Sequence, residues 1–386
     1  MRRRLVVLLV DGLGWELAAR APGFASVLPH RRRIETILGF SSGALPTLFT
    51  GHLPRHHGRW LMYRRATPAG TPFRGFHWLG LLPQRVRRSW RLSVLLTRLV
   101  VRRGVRGYFS LYEVPRALLE EFDLAEREDV FAAGGLPGGS LWDAPDRLGL
   151  SWHAWNWRTP ERDGLSAVER ALENGPEDFL FCYTAELDAL LHEEGAGGAG
   201  VGERLAVYDA WLGRVVRGGE RRGEDLRLVL LSDHGMVDVR GTVDVMDAVG
   251  KCSCRWPRDY VPFFDSTLAR FWWRSAAARA EVRGALAGLG GGRWLEDDEL
   301  ARAGALFPGR DYGEDVFLLD PGILMVPSFM SSRPLAAMHG YDPAHPDMAA
   351  LLCSNQPVPD GVRHLKDVRA FLEGGLAWLA WLAEVR

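Results

Sequence analysis

Three short apolar runs in this chain of 386 residues each lead into residues that can bind a metal ion. They are Leu5–Val10, Phe179–Tyr183 and Leu228–Leu231. Continuous apolar runs of this length are typical of strands that are covered on both faces of a parallel sheet. Helix-period apolar spacing over Leu165–Asn174 and Gly202–Gly218 separates them. The sequence therefore predicts an α/β fold with a mostly parallel central sheet that is flanked by helices.

Carboxylate and imidazole side chains follow these predicted strands. In chain order they are Asp11, Asp188, His192, Asp233 and His234, and His339 follows in a later loop. Open α/β sheets bind ligands beyond the carboxyl ends of their strands, so we expect these side chains to lie close together. Each motif alone has a structural explanation, since Asp-Gly often marks a turn. The full set favours a pair of divalent cations.

Hydroxyl groups in the segment GFSSGALPTLFTG, residues 39–51, complete this set. A cation can lower the pKa of a hydroxyl and make it a nucleophile. The candidates are Ser41 and, one residue on, Ser42. We expect a helix that begins near Leu45–Pro46, because proline is tolerated in a first turn. Its free N–H groups could hold phosphate oxygens.

Composition narrows the possible partners and location. The chain has no net charge, so no overall field draws it to nucleic acid, and no nucleic-acid partner is expected. The cysteines, Cys182, Cys252, Cys254 and Cys353, do not resemble a disulfide framework, which predicts a reducing, cytoplasmic location. The N-terminal arginines mimic a signal peptide, but the apolar run after them is short, and we interpret it as the first core strand.

Two segments are predicted to be insertions. We expect core sheet at 1–60, 130–240 and 327–386, with a basic and aromatic lid at 61–129 and a small α+β cap at 241–326. In the lid, residues 84–106 are strongly basic, and acidic residues follow from Glu113 to Asp129. We favour a lid whose basic face pairs with that acidic stretch. The alternative is peripheral contact of residues 84–106 with anionic lipid.

These motifs together resemble the alkaline phosphatase superfamily, and most of all its type I phosphodiesterase/nucleotide pyrophosphatase branch. The resemblance rests on VDGLG, TGHLPRHHG, the D-x-x-x-H of Asp188 and His192, SDHGM and HGYDP. It implies an alkaline phosphatase-like sheet with a cap insertion, and two metal ions that are zinc or, in some members, manganese. It also implies a metal-dependent phosphohydrolase that cleaves a phosphodiester or diphosphate through a phosphoseryl intermediate.

The resemblance also assigns a role to each candidate residue. It implies that Asp188, His192 and His339 hold the metal ion that activates water. It implies that the metal ion that activates the nucleophile is held by Asp11, Asp233 and His234. The nucleophile of the family lies ten residues before the Gly of a Thr-Gly pair, and this spacing from Gly51 gives Ser41, with Ser42 as the second choice.

The nucleophile segment departs from the branch in one respect that bears on specificity. Nucleotide pyrophosphatases often have T-F-P-N where this chain has Ser41-Ser42-Gly43-Ala44, and no Asn occurs before Asn156. A phosphomonoesterase, a phosphomutase or a phosphonate hydrolase on the same scaffold therefore stays open. A non-catalytic binding module is the alternative from a different class, and the complete ligand set argues against it.

Overall fold

The computed structural model describes residues 2–67, 70–87 and 89–381. Its strands are β1 (Arg3–Val10), β2 (His30–Ile34), β3 (Tyr63–Arg65), β4 (Phe122–Leu124), β5 (Trp152–Trp155), β6 (Phe179–Thr184), β7 (Asp225–Leu231), β8 (Val237–Asp238), β9 (Gly241–Val243), β10 (Tyr260–Phe264), β11 (Leu268–Trp273), β12 (Gly292–Trp294), β13 (Asp315–Leu319), β14 (Ile323–Met325), β15 (Ala337–Met338) and β16 (Ala350–Ser354).

The strands alternate with helices along most of the chain. These are α1 (Trp15–Ala19), α2 (Ser41–Thr50), α3 (Pro54–His57), α4 (Gln84–Arg87), α5 (Trp90–Arg102), α6 (Ala144–Arg147), α7 (Glu161–Asn174), α8 (Glu186–Glu194), α9 (Ala199–Arg222), α10 (Val245–Gly250), α11 (Ala276–Ala287), α12 (Asp297–Arg302) and α13 (Leu365–Ala380). Over the described residues, no helix combines the length and apolar character needed to cross a membrane.

The central sheet has six strands in the order β2-β16-β7-β1-β6-β5. β1 pairs in parallel with both β6 and β7, and β5 pairs in parallel with β6. β16 alone runs against its neighbours in this sheet. The predicted mostly parallel sheet flanked by helices is therefore confirmed, and β1 lies between the two other strands that lead into ligand residues.

Strand β1 shows why the apolar runs are continuous. Leu5, Val7 and Leu9 belong to the core beneath α2 and α13. The alternate residues of the strand pack on the opposite face against α7, α8 and α9. Because successive side chains of a strand point to opposite faces, a strand that is covered on both sides must be apolar at every position.

The cap contains a four-stranded antiparallel sheet in the order β10-β11-β13-β12. β10 was not predicted, nor were β2, β5 and β16 of the central sheet. The sheet packs against the first insertion in one shared core, where Phe73 and Leu96 meet Phe263 and Phe271. Apolar patterns in two distant segments do not reveal that the segments share a core.

Two predicted boundaries were wrong. α2 begins at Ser41, not near Leu45–Pro46, because the N–H groups of Gly43 and Ala44 already bond to the Phe40 carbonyl. The glycine-rich sequence of residues 195–202 predicts a loop, but α9 begins within it at Ala199. The end of the chain predicts a helix over Leu365–Val385. α13 covers Leu365–Ala380, and residues 382–386 of that prediction lie outside the described ranges.

Candidate metal centre

The carboxyl ends of three neighbouring strands deliver the candidate ligands to one edge of the sheet. Asp11 directly follows β1, and its N–H donates to the carbonyl of Thr184 at the end of β6. Asp233 lies two residues after β7. Asp188 lies in the first turn of α8, the helix that follows β6. Parallel pairing in the order β7-β1-β6 therefore brings together residues that are far apart in sequence.

The six candidate ligands form two groups of three. Asp11, Asp233 and His234 offer ligand atoms that all lie within 4.8 Å of one another, and we call them the inner group. The same limit holds for the outer group, which is Asp188, His192 and His339. The groups adjoin, because the rings of His234 and His339 are stacked with their centroids 3.8 Å apart.

The inner group is buried from solvent. The Nε2 atom of His234 lies 3.2 Å from Asp11 Oδ1 and 3.4 Å from Asp233 Oδ2. Burial, and after it the charge of Asp11, raises the pKa of Asp233. Burial by itself would lower the pKa of His234, but Asp233 and Asp11 raise it. Two buried carboxylates beside one imidazole form an environment that a divalent cation would stabilise.

The outer group is more accessible. Asp188 and His192 lie one helical turn apart on α8, with His192 Nε2 3.4 Å from Asp188 Oδ2, and each side chain is 20% exposed. His339 comes from the loop after β15, and its Nε2 atom lies 3.8 Å from Asp188 Oδ1. Burial, helped by the charges of His234 and His192, lowers the pKa of His339 well below its ordinary value. A neutral imidazole is the form that binds metal ions.

Backbone carbonyls hold two of the histidine rings. His234 Nδ1 lies 3.0 Å from the Gly235 carbonyl, and His192 Nδ1 lies 2.9 Å from the Ala337 carbonyl. A proton on Nδ1 donates to the carbonyl, which leaves Nε2 of each ring as the free ligand atom. Gly235 is needed here for space: a Cβ atom would lie 2.1 Å from the Asp347 carbonyl oxygen.

Ser41 lies beside the inner group at the start of α2. Its Oγ atom is 3.0 Å from His234 Nε2 and 3.5 Å from Asp11 Oδ1. The Ser42 hydroxyl points elsewhere, toward the Trp60 carbonyl at 3.5 Å. Trp60 also explains Gly43, because a Cβ there would lie 2.4 Å from the same carbonyl oxygen. Of the two candidate nucleophiles, the structure brings only Ser41 to the ligand groups.

Sequence reasoning missed a tyrosine that contacts this centre. The Tyr183 hydroxyl, at the carboxyl end of β6, donates to Asp11 Oδ2. The position of Tyr183 at a strand end could have been noticed.

A sequence model of the type I phosphodiesterase/nucleotide pyrophosphatase family matches residues 5–253, which include five of the six candidate ligands and Ser41. The chain belongs to this family. Its activity class is therefore hydrolysis of phosphoester bonds. Among curated proteins, no sequence matches significantly.

Solved structures with the same fold include ectonucleotide pyrophosphatase/phosphodiesterase 5 from mouse and human. The inactive murine variant in complex with AMP is 16% identical, with a TM-score of 0.65 over 97% of this chain and 95% of that one. The human protein is 14% identical with a TM-score of 0.66 and the same coverage. At this level of sequence identity, the similarity shows that this chain has the same fold as these two proteins.

Proposed function

We propose that this protein cleaves a phosphodiester or diphosphate by transfer of the phosphoryl group to Ser41, followed by hydrolysis of the phosphoseryl intermediate. The observation that carries the proposal is the position of the Ser41 hydroxyl beside two adjoining groups of metal-ligand side chains. If these side chains were only solvated surface charges, nothing would explain why the Ser41 hydroxyl lies beside them. Phosphoryl transfer needs mainly positioning and charge neutralisation, and this arrangement can supply both.

Two divalent cations fit the residues present. The inner group would hold one and the outer group the other. Asp233 Oδ2 and Asp188 Oδ1 are buried without a hydrogen-bond partner among the described residues, as expected of atoms that bind ions. Histidine and carboxylate ligands suit zinc, and manganese is the second choice. When bound, such ions lower the pKa of a hydroxyl and neutralise charge on the phosphoryl group.

The residues around Ser41 prepare it for in-line attack. As the first residue of α2, Ser41 lies where backbone N–H groups have no partner within the helix. The positive end of the helix can therefore hold phosphate oxygens. The hydrogen bond from Tyr183 holds the Asp11 carboxylate in position, 3.5 Å from the Ser41 hydroxyl. Formation of the bond from Ser41 Oγ to phosphorus releases the first leaving alcohol or phosphate.

A comparison of chromogenic substrates tests the bond that is cleaved. The protein, loaded with zinc or manganese, is assayed on bis-p-nitrophenyl phosphate and on p-nitrophenyl phosphate. Faster turnover of the diester supports the proposal, and faster turnover of the monoester would make the protein a phosphomonoesterase. Product analysis would reveal a phosphomutase or phosphonate hydrolase. The AMP complex of the murine neighbour is a reason to include nucleotide diesters and diphosphates in the panel.

A cytoplasmic location is part of the proposal. The four cysteines are all buried, and none forms a disulfide. Free thiols are stable in a reducing compartment. Activity that survives in strong reductant would agree with this location, and activity that is lost in reductant would contradict it.

A further inference from the structure

The exposed side of the first insertion carries an unusual surface. Eight of the ten large hydrophobic side chains that are exposed in the described part of the chain fall between residues 78 and 108. Trp90 is 71% exposed and Leu81 is 79% exposed. Such side chains scattered singly need no explanation, but a cluster of them marks a surface that contacts something apolar.

Helix α5 is held in the fold by other residues than these exposed ones. Its inner side buries Leu96 and Val100 in the core that the insertion shares with the cap. Successive helical residues are about 100° apart, so Trp90, Val94 and Val101 lie along one exposed strip, about 120° around the helix from Leu96 and Val100. The helix is therefore anchored by one apolar side and presents a second.

Arginines lie next to this exposed strip. Arg91, Arg98 and Arg102 are exposed along α5 on the side opposite Leu96 and Val100, with the strip on one side of them and Leu95 on the other. Among the described residues they make no ion pair, and neither does Arg85 in the preceding helix. The chain from residue 36 to residue 112 contains no Asp or Glu. The strip therefore combines apolar side chains with uncompensated positive charge.

The acidic stretch that we expected to cover this charge pairs elsewhere. Asp123 binds Arg64 and Arg127, and Asp129 binds Arg158. Glu121 pairs with Arg65 and with Arg274 of the cap. In the described part of the basic segment 84–106, only Arg106 reaches an acid of this stretch, at 3.6 Å from Glu128. Over the described residues, the predicted pairing of the lid's basic face with its own acidic residues is therefore seen only at Arg106.

We propose that this face binds the surface of an anionic lipid bilayer. We define the insertion face as Trp90, Val94, Leu95, Val101, Arg91, Arg98 and Arg102. The apolar members would enter the boundary between headgroups and acyl chains, and the guanidinium groups would contact lipid phosphates, as in basic amphipathic helices that lie on membranes. Nucleic acid would satisfy the arginines but leave Val94, Leu95 and Val101 without an apolar partner. Binding to the bilayer itself does not depend on the proposed catalytic activity.

Vesicle co-sedimentation of the full chain tests the proposal. Binding is expected to phosphatidylcholine vesicles that contain about a quarter phosphatidylglycerol, with a strong fall at high salt. The triple variant R91Q/R98Q/R102Q should bind about tenfold or more weakly. The pair W90A/L95A should lose a similar amount through its apolar contacts.

Matched control variants separate the loss of vesicle binding at this face from the effects of overall charge and of folding. The variant R162Q/R217Q/R221Q removes the same charge from exposed positions on α7 and α9, and W381A removes an exposed Trp on the C-terminal helix side. Both should bind like the wild type, and all variants should keep the wild-type midpoint of thermal unfolding. Four outcomes would overturn the proposal. They are absence of vesicle binding at low salt, equal binding to vesicles of pure phosphatidylcholine, equal losses of binding in the control variants, and binding to polyglutamate instead of vesicles.

Discussion

The inner and outer ligand groups use the same side-chain types in different surroundings. Inner-group residues are at most 4% exposed and come from the ends of two adjacent buried strands. In the outer group, Asp188 and His192 keep 20% of their side-chain surface on a short helix. The contrast shows that the inner group is enclosed by the fold, whereas solvent reaches Asp188 and His192 of the outer group.

Ser41, the proposed nucleophile, lies beside the inner group, and its loss should have the largest effect. Ser41→Ala should lower kcat on bis-p-nitrophenyl phosphate by about 10³-fold or more, because no other described hydroxyl is placed to accept the phosphoryl group. Ser42→Ala is the matched control, and it should change kcat by no more than about twofold. Metal content should stay unchanged in both variants. Wild-type rates in Ser41→Ala would refute the assignment.

Ligand substitutions compare the two groups directly. Asp233→Asn and Asp188→Asn should each lower kcat/KM by about 10²-fold or more, since each removes a charged ligand. Elemental analysis should find one ion fewer in each variant.

Chelation of the wild-type protein should remove the outer ion first, because solvent reaches its ligands. Metal content during dialysis against a chelator would then fall in two phases. Asp188→Asn should show only the slow phase. A single phase in the wild type would show that burial does not separate the two ions.

Glu126 provides a buried carboxylate outside both groups. Burial, offset in part by backbone hydrogen bonds, raises its pKa to about 7 from an ordinary 4.5. An acid with a higher pKa in the folded state binds its proton more tightly there, so the free energy of unfolding should fall as pH rises from about 4.5 to about 7, and level off above. The loss should be about 3 kcal/mol.

Glu126→Gln should flatten this part of the profile. An amide oxygen can still accept from the N–H groups of Tyr108 and Val130, which lie 3.0 and 3.2 Å from Oε1. Urea unfolding at a series of pH values measures the effect. A variant as pH-sensitive as the wild type would show that Glu126 does not carry the effect.

Tyr183→Phe should have the smallest effect of this set. It removes one hydrogen bond to Asp11 and leaves every ligand in place. Loss of such a contact typically lowers metal affinity by about tenfold or more. The inner ion should therefore dissociate more readily, with the outer ion unchanged. If the affinity for both ions fell equally, the two ligand groups would respond as one unit.

Much of the site could be predicted because its signals are local. A buried strand must be apolar at every position, so SDHGM after LRLVLL placed Asp233 and His234 at a sheet edge. Strand β10 and the core shared by the two insertions were missed, because these depend on contacts between distant segments. The free charge of α5 was missed for the same reason: whether Arg98 is paired depends on where the carboxylates of residues 113–129 fold.

The sequence by itself determined the ligand types, their positions after apolar strands and the two candidate serines. The division of the candidate ligands into two groups came from the family resemblance, and the roles of the two groups stay predictions. Only the tertiary structure decided which side chains share a place, because that depends on β1 lying between β6 and β7. It also separated Ser41 from Ser42, since the start of α2 turns one hydroxyl toward His234 and the other toward Trp60. Spacing along a chain cannot specify such directions, which arise from non-local packing.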